Sequence, residues 1–303
     1  MTTRRNSAEG APRRGYAHPR GPRESVRRLA LLVVAALALA ACTSDEKKPT
    51  AEPSPTPSAT TLAAPAPPPP APTVGACYRL SYDEAVAPTS EDSPAPCDKG
   101  HTTQTFAVGQ LDLVTNGHLL AVDSETVRKQ VAKRCPAQLA AYVGATEEQL
   151  RLSLLRPVWF TPTIEQSDAG AAWYRCDVIA VSGDKKVAKI DHDIFEALKK
   201  PEGRAEFALC GTAQPGTAAF SRVLCREDHS WRAISVIDLS KKSDDGRYPG
   251  TNAVRDAGQT VCADAAREIA SDALDYEWGY EWPTKDQWQA GQTYGRCWSP
   301  DPA

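Results

Sequence analysis

Cys97-Asp98-Lys99-Gly100-His101 returns 128 residues further on as Cys225-Arg226-Glu227-Asp228-His229. Other blocks repeat with it. Pro162-Thr163, Gln166, Ala169-Gly170 and Arg175-Cys176 recur at the same internal spacing as Pro283-Thr284, Gln287, Ala290-Gly291 and Arg296-Cys297. Cys135 has a counterpart in Cys262, and Cys77 in Cys210. The chain of 303 residues therefore carries one small four-cysteine domain twice, expected over residues 74–182 and 205–299 with a connection at 183–204.

Each copy reads strand, helix, strand, capped turn, strand, an α+β arrangement of two similar small domains. In the first, residues 106–113 read as a strand. Ser124 stands where an N-cap belongs, and Val127, Val131, Cys135, Leu139 and Tyr142 follow at helical spacing. Pro136 inside that pattern is expected to bend or break the helix. Residues 150–160 read as a strand, with Pro157 placing it at an edge or bulge. Thr163-Ile164-Glu165-Gln166 has the form of a capping box, stopped by Gly170, and residues 173–181 close the copy. The second copy follows with a strand over 231–239 and a helical face of Val254, Gly258, Cys262, Ala265 and Ile269. Tyr276, Trp278, Tyr280 and Trp282 then alternate with polar or small residues, which is strand periodicity, and a second capping box starts at Thr284.

Ahead of the copies the chain is of another kind. Residues 1–28 hold eight arginines, and residues 29–41 are 13 consecutive apolar residues ending at Cys42. A membrane-spanning helix needs about 20 apolar residues, so this run is too short to be a permanent span. Basic stretch, short apolar core and small residues before a cut site make an export signal. Leu39-Ala40-Ala41-Cys42 resembles the bacterial lipobox, which implies removal of residues 1–41 and a lipid on Cys42. The expected address is the outer face of the cytoplasmic membrane. Residues 42–73 form a Pro/Ala/Thr-rich linker, with ten prolines among residues 49–72. Proline stiffens a chain into an extended form, giving a disordered tether of up to roughly 70 Å. Loss of the signal moves the net charge from −3 to −9, which leaves no electrostatic case for binding nucleic acid.

Eight cysteines remain beyond Cys42, four per copy, and an even count at repeated spacing in an exported chain points to disulfides. Four cysteines allow three pairings. The favoured one joins Cys77 to Cys97 and Cys135 to Cys176, and likewise Cys210 to Cys225 and Cys262 to Cys297. Each bridge would stabilise by roughly 2–4 kcal/mol. The two Cys-x3-His turns could instead build one zinc site, but the oxidising compartment favours bridges, so no metal is expected. His101 and His229 are expected to hold a backbone carbonyl in the turn. Asp191-His192-Asp193 reads as solvated connection. No catalytic elbow, phosphate cradle or cofactor motif stands out. The aromatic ladder reads first as the core face of a strand, with Trp278 and Trp282 as the candidates for partner contact if exposed.

Val74-Gly75-Ala76-Cys77-Tyr78, then Cys97-x3-His101 leading into Gln104-Thr105-Phe106, then Gly170 to Arg175-Cys176, resemble the septum-formation domain family of actinobacterial envelope proteins. The second copy resembles it from Cys225 onward. The resemblance implies a role in division-septum or wall assembly and supplies no catalytic residues. Two functions follow as expectations. One is a non-catalytic lipoprotein that binds a cell-wall or division-protein partner. The other is an envelope enzyme acting on glycan through paired Asp/Glu carboxylates.

Overall fold

A computed structural model describes residues 67–301. The expected export signal, Cys42 and most of the expected Pro-rich tether lie outside the described residues. The first copy contains β1 (Cys77–Tyr78), α1 (Tyr82–Ala85), β2 (Thr103–Gln110), the hairpin β3 (Val114–Thr115) and β4 (His118–Leu119), α2 (Glu125–Tyr142), α3 (Glu147–Arg151), β5 (Leu155–Phe160), α4 (Ile164–Asp168) and β6 (Trp173–Ala180). After α5 (Pro201–Glu206) the second contains β7 (Leu209–Gly211), β8 (Arg222–Leu224), β9 (Trp231–Asp238), α6 (Thr251–Ile269), β10 (Gly279–Glu281), α7 (Lys285–Gln289) and β11 (Tyr294–Pro300). The chain is mixed helix and sheet, two similar domains with four disulfides.

The sheets show the duplication directly. Strand order is β1-β2-β6-β5 in the first and β8-β7-β9-β11-β10 in the second, so the second is the first with one strand added at its edge. Pairing is antiparallel throughout. Both sheets even keep a register shift at one place: β2 skips Phe106 opposite Asp177 and Cys176, and β9 skips Ile234 opposite Cys297 and Trp298. A bulge increases local twist, and repeating it gives both sheets the same bend over their helix.

One helix lies across each sheet. On α2, Val127, Val131, Cys135 and Leu139 are fully buried at i, i+4 spacing, with Ser124 as N-cap. The helix runs unbroken through Pro136, contrary to expectation. Pro136 and Ala132 are exposed, so the carbonyl that loses its partner faces water. On α6 the buried stripe is Val254, Gly258, Cys262 and Ala266. Ile269 was expected on that face and is 60% exposed, because the fourfold stripe has already passed to Ala266. Residues 150–160 are not one strand: Thr146 and Gln149 form a capping box that starts α3, and β5 begins only at Leu155. Pro157 sits on β5, an edge strand.

Residues 183–204 are more than a connection. Ile190, Ile194 and Leu198 are buried in the cluster that contains Val131 and Leu139 of one copy and Leu224 and Trp298 of the other. Asp191-His192-Asp193 is correspondingly tied down rather than free. Gln104 donates to Asp193 at 2.7 Å and accepts from the Ile194 amide at 3.0 Å. His192 stands between Asp191 and Glu206. Backbone bonds also cross the junction: Leu154 donates to Phe207, Leu209 to Leu152, and Gly183 to Arg222. The two copies thus share one core.

Candidate functional site

The repeated cysteines and histidines build the frame. The bridges join Cys77 to Cys97, Cys135 to Cys176, Cys210 to Cys225 and Cys262 to Cys297. The second and fourth pin α2 to β6 and α6 to β11 at fully buried positions. His101 is sealed, its Nδ1 lying 3.0 Å from the Cys97 carbonyl. Burial pushes its imidazole below the usual histidine range, against the pull of that carbonyl. His229 Nδ1 lies 2.7 Å from the Glu227 carbonyl, and its Nε2 is 3.4 Å from Asp301. Cys210, His229 and Asp301 converge closely, but Cys210 is bridged to Cys225 and has no thiolate to offer a metal.

The aromatic ladder is shorter than its periodicity. Only residues 279–281 are strand. Continued toward Tyr276, the β10 ladder would place Glu277 opposite Pro300, which has no N–H to donate. Tyr280 is buried and donates to the Val254 carbonyl at 2.9 Å. Trp278 and Trp282 are half-buried against Tyr280 and the Cys262–Cys297 bridge, so only their outer edges are open to a partner. Gly258 makes room for the Tyr280 ring, since a Cβ there would lie 2.1 Å from it. Alanine in mid-helix should gain about 1 kcal/mol over glycine on propensity. Here the clash wins. A Gly258→Ala variant is expected to lose about 1–3 kcal/mol net, read as a lower urea midpoint; a higher midpoint would mean that Tyr280 swings aside freely.

Among the described residues, two grooves are lined by several carboxylates: one of about 360 Å³ by Asp193, Glu196, Glu202 and Glu206, and one of about 660 Å³ in the second copy by Asp275, Glu277 and Asp301. Asp301 is engaged, however. Burial works to raise its carboxyl, and the hydrogen bond and charge of Arg232, with His229, outweigh it and hold the group low. A general acid needs the opposite shift.

The most distinctive chemistry lies where the copies meet, and sequence reasoning passed over it. The repeated Arg175 and Arg296 are both buried. Across the sheet from Arg175 stands Phe160, and across from Arg296 stands Glu281. In the first copy the guanidinium is closed between Tyr78 and Phe160, 4.0 and 4.3 Å from the ring centres. In the second it reaches a cleft of about 530 Å³, also lined by Arg156, Arg222 and Tyr294. Arg296 donates to the Arg151 carbonyl at 2.9 Å and to the Tyr294 hydroxyl at 3.0 Å. Glu281 pairs with Arg222 through one oxygen and lies 3.6 Å from Arg296 through the other. Burial works to raise the Glu281 carboxyl, but these guanidinium charges hold it below the ordinary range. Burial, with the charge of Arg296, brings Arg156 down to about 10, so it stays cationic at neutral pH. The repeated Arg-Cys pair was the one available signal; Arg156 and Arg222 have no counterparts and left none.

The family described as septum formation matches residues 41–167 and again residues 159–297. The chain belongs to the septum formation family and is a septum-related protein of the cell envelope. No curated protein and no solved structure matches it. Among the described residues, no helix is long and apolar enough to cross a membrane.

Proposed function

We propose that this is a non-catalytic, lipid-anchored envelope protein that binds a cell-wall or division-protein partner during septum or wall assembly. The observation that carries it is how the two copies are joined. Repeated residues build the frame, and a polar cleft opens where the copies meet, lined by Arg156 and Arg222, which have no counterparts, together with the repeated Arg296. Favouring binding over hydrolysis, Asp177 is the one carboxyl raised among the described groups whose titration is shifted, and it is fully buried, out of a substrate's reach. The exposed edges of Trp278 and Trp282 would be a second contact surface.

Cosedimentation of the full chain with purified wall material tests the binding reading. Retention without release of soluble sugar or peptide is expected, and release of fragments would overturn it. The anchor has its own test. A Cys42→Ser variant should leave the membrane fraction, since two or three acyl chains rather than a basic patch would hold the protein there. Unchanged membrane association would sink the lipid anchor.

A further inference from the structure

The cleft between the copies is unevenly charged. Three guanidinium groups, Arg156, Arg222 and Arg296, line it. Among the described residues Glu281 is the one carboxylate within ion-pair distance of any of them, and it is shared by two. Arg156 has no carboxylate partner there. It spends one terminal nitrogen on the carbonyls of Ser153 and Leu155, leaving the rest of its fork uncommitted. The Nε of Arg222 is buried without a hydrogen-bond partner. Asp184 stands at the lining beyond ion-pair reach of all three, so the cleft as a whole carries an excess of about one positive charge. Excess cations held in a recess are costly unless an anion joins them.

Comparison of the copies argues in the same direction. An arginine needed only for the frame could be closed off, as Arg175 is between Tyr78 and Phe160. The equivalent Arg296 faces Glu281 instead, and that carboxylate draws Arg222 beside it. Arg156 reaches the same cleft from the other copy, so the complete set exists only when both copies are fused.

We propose that this cleft binds a singly charged oxyanion, a carboxylate or phosphodiester carried by an envelope ligand, with Arg156 and Arg222 as its direct partners, Glu281 holding Arg222 in place and the Ser153 and Leu155 carbonyls holding Arg156. Planar guanidinium forks suit both groups through paired N–H donors. The 530 Å³ cleft has room for the neighbouring part of the ligand, and Gln287, Gln292 and Tyr294 offer it uncharged hydrogen bonds. The envelope origin of the ligand rests on the binding reading above; anion binding by the cleft does not.

The test is calorimetric titration of the full-length purified protein with two probes, a short peptide with a free C-terminal carboxylate and glycerophosphoglycerol. The same peptide amidated at its C-terminus is the control. Saturable binding of at least one probe is expected, and which one binds identifies the source of the anion. Loss of a charged hydrogen-bond donor should weaken binding about tenfold in Arg156→Gln. Lys133→Gln, on the exposed face of α2, should bind as wild type does. Should Arg156→Gln fold poorly, Arg156→Lys keeps the charge without the fork and should still bind more weakly. Failure of both probes to saturate, equal binding of the amidated peptide, or binding unaffected by the Arg156 substitutions would each overturn the proposal. If wall cosedimentation persists through such a failure, the binding reading stands and the anion site alone falls.

Discussion

Replacing Trp298 by alanine should destabilise the whole folded body by about 3–5 kcal/mol, the cost of emptying a fully buried aromatic site. Trp298 is on β11 of the second copy, and no part of it is exposed. Phe220 packs edge-on against it at 5.2 Å, and Gly211 lets both rings approach β7 closely. The cluster around it does not stop at the copy boundary. It runs through Leu224, Leu209 and Phe207 to Leu198 and Ile194, and on to Leu139 and Val131 of α2. The cavity should therefore weaken the first copy as well. Hydrogen exchange on the disulfide-intact protein reads this directly: amides of α2 should lose protection together with those of α6. Protection of α2 unchanged while α6 opens would show two separately unfolding domains, and the continuous core would then carry no cooperativity.

Much of this body was legible in the sequence because its determinants are local or repeated. The i, i+4 stripe from Val127 to Leu139 defines one buried helix face whatever lies above it, and the capping boxes at Thr163 and Thr284 need only four residues each. The box at Thr146 was equally local and was overlooked, which merged α3 into the following strand. What could not be read was contact between elements far apart in the chain. Residues 183–204 carry Ile190, Ile194 and Leu198 four apart, yet residues 190–196 are not helical, so the spacing gives no true account of how these three come to be buried. Gln104, present in the sequence reading only as part of the Gln104-Thr105-Phe106 motif, clasps Asp193 and Ile194, 89 and 90 positions away. The arginine cleft is the extreme case: Arg156, Arg222 and Arg296 come from three separated strands, and no spacing announces them.

The second large effect is expected at Asp177. This carboxylate is fully buried on β6, takes hydrogen bonds from Thr105 at 2.7 Å and Thr103 at 3.2 Å, and lies 3.1 Å from the Arg175 guanidinium. Burial pushes its carboxyl above the ordinary aspartate value, with Arg175 and the two threonines opposing. The pair is thus held at considerable desolvation cost, and the damage from breaking it comes mostly from what is left behind. Asp177→Ala strands a guanidinium between Tyr78 and Phe160 with no counter-charge, a loss of about 3–5 kcal/mol. Removing both charges together should be far milder, because a well-packed apolar pair carries no desolvation penalty. Urea titration of Asp177→Ala beside the double variant Arg175→Met, Asp177→Leu separates the two effects. The double variant should be the more stable of the two. If both lose the same amount, the cost lies in packing around β6 and not in the orphaned charge. The same substitution logic should fail at Arg296, because its partner Glu281 is shared with Arg222, whose side chain is 38% exposed at the cleft: there Glu281→Ala leaves a guanidinium that water reaches, and the loss should be smaller than at Asp177.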